Sequence, residues 1–153
     1  ESPGTSIDQD SIRYMLRELS DIYSIRAVAI DRWNAAKLMT EIEQDGLEVV
    51  KFGQGFASMS FPAKHWEESV LAGRIVHDGH PVMRWGVGNA AIEVDAAGNI
   101  KPSKKKSTEK IDGVVAGVMA LGLSSVMPSF DWYTPGCLQD KPRKGEHAET
   151  ADK

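Results

Sequence analysis

Apolar positions along the chain come in short stretches whose period switches between that of a helix and that of a strand. Ile12, Met15, Leu16, Leu19 and Ile22 recur at the three- and four-residue spacing of one helix face, after Asp10 and Ser11, whose side chains suit the first free amides. Residues 25–31 are mostly apolar on both faces and few in number, the pattern of a strand covered on two sides, with Asp31 at its C-terminal end. A second helix is predicted from a cap at Asn34, with Leu38, Met39 and Ile42 facing inward and Gly46 as its left-handed stop. Another strand follows at 48–52. This alternation predicts parallel strands joined by crossover helices.

The remainder is less regular. Ser60 and Pro62 are read as opening a third helix that carries Trp66, Val70 and Leu71 and closes at Gly73, after which Ile75 and Val76 lead out. Pro81 begins a further helical segment to about Asn89. Residues 90–94 and the pair Ile100 and Lys101 flank the turn sequence Asp95-Ala96-Ala97-Gly98-Asn99, which predicts a hairpin. Ile111, Val114, Val115, Val118 and Met119 predict a last helix, started by Ser107 or Thr108 and ended near Gly122. Trp33, Trp66 and Trp85 sit among apolar neighbours and read as core or interface anchors. The organisation expected is a domain over 1–124 and a C-terminal extension over 125–153. In the extension Trp132 and Tyr133 pack back on the domain, and the stretch after 138 is mostly flexible.

Composition narrows the class. With 153 residues, 41% of them hydrophobic and 26% charged, the chain can build one ordinary core and not two. The single Cys137 rules out an intrachain disulfide and a cysteine zinc site, which fits a reducing cytoplasm. No apolar run approaches the roughly 20 residues that span a bilayer, and Glu1-Ser2-Pro3-Gly4 has no basic-then-apolar leader pattern, so no membrane partner is expected. A net charge of −4 provides no global attraction to nucleic acid. Locally the balance is reversed: Lys101, Lys104, Lys105, Lys106 and Lys110 crowd together just before Asp112. Such a run is either a solvated loop or a set of phosphate contacts.

The candidate chemistry rests on two carboxylates. Asp31 ends an apolar strand and Asp112 opens an apolar helix, and paired acidic oxygens are what hard divalent cations take as ligands. Each has a plainer reading, since an aspartate also favours the first turn of a helix. His77-Asp78-Gly79-His80 offers ligands for zinc, but no remote pair of Cys or His completes four, and the histidines read better as cap or turn contacts beside Pro81. Asp8 and Asp10 read as caps of the first helix.

Several of these stretches together resemble a known family. Ile30-Asp31-Arg32-Trp33-Asn34-Ala35, Gln54-Gly55-Phe56-Ala57-Ser58-Met59-Ser60, Gly79-His80-Pro81-Val82-Met83-Arg84-Trp85, Gly98-Asn99-Ile100-Lys101-Pro102 and Glu109-Lys110-Ile111-Asp112-Gly113 occur here in the order found in the C-terminal nuclease region of bacteriophage terminase large subunits. The resemblance covers residues 5–124. It implies an α/β, ribonuclease H-like fold, a mixed sheet flanked by helices, and a role in cutting concatemeric viral DNA inside a bacterial host. It further implies two-metal phosphodiester hydrolysis with Mg²⁺ or Mn²⁺, with Asp31 and Asp112 as catalytic metal ligands. Lys101, Lys104, Lys105, Lys106 and Lys110 become candidate nucleic-acid contacts. The partners implied are double-stranded DNA, the terminase ATPase domain, the small terminase subunit and the portal.

The chain also departs from that family. The family's nuclease begins with a three-stranded antiparallel unit whose first strand carries a further catalytic aspartate, and nothing before Ser11 is long enough to supply it. No Gly-x-x-x-x-Gly-Lys-Ser/Thr loop is present for an ATPase. The expectation is therefore a partial fold: a fragment of a two-metal endonuclease. The alternative for the isolated chain is a catalytically silent DNA- or protein-interaction module. The strand ending at Asp31 should then have one edge without hydrogen-bond partners, a costly state, expected to be covered by a second copy or by the chain's own terminus or tail.

Overall fold

The computed structural model describes residues 8–31 and 35–127. Along the chain run α1 (Gln9–Ile22), β1 (Val28–Ile30), α2 (Ala36–Gln44), β2 (Val49–Lys51), α3 (Phe56–Leu71), α4 (Pro81–Asn89), β3 (Ile92–Val94), β4 (Ile100–Pro102) and α5 (Asp112–Val126). The alternation read from the first fifty residues is present: β1 and β2 pair in parallel, Val28 opposite Val49 and Ile30 opposite Lys51, with α2 as the crossover. The expected hairpin is β3 and β4, antiparallel, with Glu93 opposite Lys101. Among the described residues these form two separate two-stranded sheets and not the single mixed sheet expected.

The core lies where α5 meets α3. Met59 and Ala63 of α3 pack with Ile111, Val114, Val115, Val118 and Met119, and Phe52, Trp66, Met83 and Ile100 close over them. Met59, Ile111 and Val118 are each only 1% exposed. Contrary to the expectation, Gly122 does not end α5; it lies within the helix and is buried. A β-carbon there would sit 2.6 Å from Pro62 Cγ and 2.8 Å from Phe52 Cζ, and one at Gly117 would sit 2.6 Å from Trp66 Cη2. Both glycines thus let α3 approach. Ser107 and Thr108 do not cap α5 either: its cap position is Ile111. The Ser107 hydroxyl donates to the Ser103 carbonyl at 2.7 Å and the Thr108 hydroxyl to the Asn89 side-chain oxygen at 3.0 Å, so both tie down the loop ahead of the helix.

Other boundaries shift for local reasons. α1 is capped by Asp8, whose carboxylate accepts from the Asp10 amide at 3.0 Å; of the two aspartates read as caps, Asp8 holds the position and Asp10 lies in the first turn. None of its residues is buried, and Met15 and Ile22 face solvent, so α1 is held in good part by Arg13 and Arg17 on the nearly enclosed Asp45 carboxylate. Those guanidiniums hold the Asp45 carboxyl well below the usual carboxylate range. Ala35 is the cap position of α2 and makes no side-chain cap bond; Asn34 lies outside the described residues, as does Trp33. α3 begins at Phe56, placing Pro62 inside the helix, where its ring packs toward Gly122 and does not start a turn. Val70 and Leu71 at its end are exposed, as is Val76 beyond it. α4 has the expected bounds, with Trp85 half exposed. The C-terminal extension, with Trp132 and Tyr133, lies outside the described residues from 128 onward.

Two substitutions separate packing from helix propensity. Gly122→Ala gains up to about 1 kcal/mol of propensity but forces a methyl into the α3 contact, where overpacking costs about 1–3 kcal/mol. Gly88→Ala in α4 meets no atom within 4 Å. Urea denaturation should show Gly122→Ala destabilised and Gly88→Ala unchanged or stabilised by up to about 1 kcal/mol.

Candidate metal and nucleic-acid site

Asp31 follows the last residue of β1, and Asp112 is the first residue of α5. They lie eighty-one positions apart, yet both line one cavity of about 360 Å³. Its walls are largely apolar, built from Ile12 and Leu16 of α1, Leu38 and Ile42 of α2, and Val115 and Met119 of α5, with β1 along one side. Ile111, buried immediately before Asp112, fixes where α5 starts, so the carboxylate is placed by packing and not by a cap.

A second cavity of about 470 Å³ opens beside the first, lined by Asp31, the Gly53-Gln54-Gly55 turn before α3, Glu93, and Lys101, Ser103, Lys104 and Lys105. Asp31, Gln54 and Lys104 border both. The lysines expected to act together are therefore divided. Lys101 Nζ lies 3.8 Å from Glu93 Oε2 and 4.9 Å from the centre of the Phe56 ring. Lys104 Nζ lies 2.6 Å from Asp112 Oδ1. Lys105 lines the larger cavity. Lys106 and Lys110 are exposed and border neither one.

The bond from Lys104 holds the Asp112 carboxyl below its ordinary range, with Lys110 adding positive potential, so Asp112 is ionised at neutral pH. The donor set suits a hard divalent cation: two carboxylates on one cavity, with room for the water that Mg²⁺ keeps when one or two carboxylates bind it. Among the described residues no group of three or more His, Cys, Asp or Glu gathers into a fuller ligand cage.

His77 and His80 do what the plainer reading expected. The Gly79 amide donates to His77 Nδ1 at 2.9 Å, and the Val82 amide donates to His80 Nδ1 at 3.3 Å, capping α4. Asp78 accepts from the His80 amide at 2.9 Å. Glu93 was not picked out from the sequence. Its signal was the strand Ile92-Glu93-Val94, which alternates apolar and charged; here the apolar pair faces out and the carboxylate turns toward the cavity. The hairpin that carries it is pinned to α3 by the Ile100 amide donating to the Ser60 hydroxyl at 3.2 Å, and its turn is closed on Asp95, which accepts from the Ala97 and Asn99 amides at 2.9 Å. No helix among the described residues is long and apolar enough to cross a membrane.

Comparison with known proteins places this arrangement. Residues 2–126 match the family described as "Terminase large subunit, endonuclease domain". The chain is 35% identical over 126 residues to the terminase large subunit of Enterobacteria phage HK97, covering 81% of this chain and 25% of that protein. It is 36% identical over 125 residues to Protein YmfN of Escherichia coli strain K12, covering 78% and 27%. The crystal structure of the HK97 large terminase superposes with a TM-score of 0.71 at 35% identity over 80% of this chain and 26% of that one. The chain thus spans about a quarter of the length of these relatives. With the family match running from the first helix through the last, this chain belongs to the endonuclease domain family of terminase large subunits.

Proposed function

We propose that the chain is part of a metal-dependent, ribonuclease H-like endonuclease that cuts concatemeric phage DNA during packaging, in the cytoplasm of a bacterial host. The observation that carries this reading is that Asp31 and Asp112, remote in sequence, border one cavity. Asp31 and Asp112 would hold Mg²⁺ or Mn²⁺, whose Lewis acidity stabilises charge developing on the phosphodiester. The chain's own residues do the rest. Lys101, Lys104 and Lys105 present cations along the adjoining cavity for the DNA backbone. The ATPase domain, small subunit and portal are partners of the whole terminase in this reading.

The free edge of β1 belongs to the same proposal. Ala29, whose amide and carbonyl point away from β2 in a parallel ladder, borders the cavity, and no strand among the described residues pairs on that side. The edge is covered by a second copy or by the chain's own terminal segments. Analytical ultracentrifugation with hydrogen exchange at Ala29 tests it: a monomer with that amide unprotected overturns the coverage.

Supercoiled plasmid with Mn²⁺ tests the activity, using this chain and a form extended N-terminally by the preceding part of its parent protein. Cleavage by the extended form that Asp31→Asn or Asp112→Asn lowers at least about 100-fold, the scale of losing positioned charge stabilisation, supports the reading. Cleavage by neither form favours the interaction-module alternative. Duplex binding divides the lysines: Lys105→Ala should reduce the slope of log affinity against log salt by about one, while Lys106→Ala leaves it unchanged.

A further inference from the structure

Beyond its place among the DNA-facing lysines, Lys104 makes a contact with Asp112 that the nuclease reading leaves unexplained. It borders both cavities, and its ammonium sits 2.6 Å from Asp112 Oδ1, on an oxygen that reading assigns to a divalent cation. One positive charge there opposes another. Yet the pair is not a buried structural bridge. Its side chains are 52% and 66% exposed, which makes the contact weak and exchangeable. Lys104 stands in the turn region between β4 and α5, on a flexible four-carbon stem that reaches either cavity without moving a regular element.

We propose that Lys104 is an internal counter-ion for Asp112, released when a DNA phosphate in the adjoining cavity draws its ammonium away, so that duplex binding and divalent-cation binding favour each other. The inference rests on the nuclease reading of Asp112. Its logic is that of linkage: a phosphate that takes Lys104 leaves Asp112 without a counter-charge, raising its affinity for a cation, and the cation in turn raises affinity for DNA by the same factor. Without DNA, Lys104 neutralises the carboxylate and holds cation affinity down. Lys110 reinforces that suppression from farther off, since it acts on Asp112 through space and contacts neither cavity.

The test is Mn²⁺ binding to the 153-residue chain, read by the electron paramagnetic resonance signal of free Mn²⁺, with Asp112→Asn defining background. At low salt and without DNA, Lys104→Ala should bind Mn²⁺ roughly two- to fivefold more tightly than the parent chain, the scale of an exposed ion pair. Lys104→Arg, which keeps the charge, should stay at the parent value. Raising ionic strength should shrink the gap, as screening requires. A short duplex should raise the affinity of the parent chain by a larger factor than that of Lys104→Ala, the difference being the part of the coupling that runs through Lys104. Equal or weaker binding by Lys104→Ala, with binding by the parent chain still sensitive to Asp112→Asn, overturns the counter-ion role and leaves the nuclease reading standing. No binding sensitive to Asp112→Asn in any variant overturns both.

Discussion

The close approach of α3 to α5 is the constraint on which the site depends. Gly117 and Gly122 face Trp66 and Pro62 at distances that leave no room for a β-carbon, so the two helices meet almost backbone to side chain. That contact encloses Met59, Ile111 and Val118, each of which contributes about 1.5–3 kcal/mol by leaving water. Ile111 is the last residue before α5, and its burial sets where the helix begins and hence where Asp112 emerges. A carboxylate positioned by an apolar anchor one residue away cannot drift without opening the core. The β1 side is held more loosely: Val28, Ala29 and Ile30 are only partly buried, so Asp31 is placed by a three-residue ladder with β2.

What the sequence made legible followed from periodicity. The helix and strand alternation through residue 51, the hairpin around Asp95 and Gly98, and the bounds of α4 were readable because each is a local matter of spacing, turn chemistry or Pro at the first helical position. Two of the misread boundaries have a shared cause. Pro62 and Gly122 carry strong local signals for a start and a stop, and in the fold both are spent on packing the same contact. Tertiary approach overrode local propensity. That Asp31 and Asp112 border one cavity follows from no spacing rule, because they stand on different elements, and only the order of motifs paired them in the sequence. Glu93 was hidden by its strand, whose apolar residues face outward while its one charge turns in.

Charge near the cavities is balanced locally rather than excluded. Asp31 and Glu93 share the larger cavity with Lys101, Lys104 and Lys105, and two of those three lysines already rest on carboxylates. Pairs this exposed contribute at most about 1 kcal/mol each, so they steer occupancy more than they stabilise the fold. Neither Glu93 nor Asp112 is deeply buried, so both pairs are open to exchange with solvent ions. The lysine run is better understood as divided by the fold than as one basic patch: three members point to the cavities, and Lys106 and Lys110 stand away.

The strand edge and the carboxylates occupy one place. The cavity bordered by Asp31 and Asp112 is also bordered by Val28, Ala29 and Ile30, so a segment that pairs with the outer side of β1 would run along that cavity. Satisfying the Ala29 amide and carbonyl is worth about 0.5–1.5 kcal/mol per hydrogen bond, and filling apolar walls adds about 25 cal/mol for each Å² withdrawn from water. Both gains are collected only when the segment is in register, because a slip of one residue would turn its apolar side chains away from α1, α2 and α5. The same register fixes which of its side chains stand next to Asp31. Covering the edge and filling the apolar walls of this cavity would therefore be a single structural event, with hydrophobic burial supplying most of its free energy.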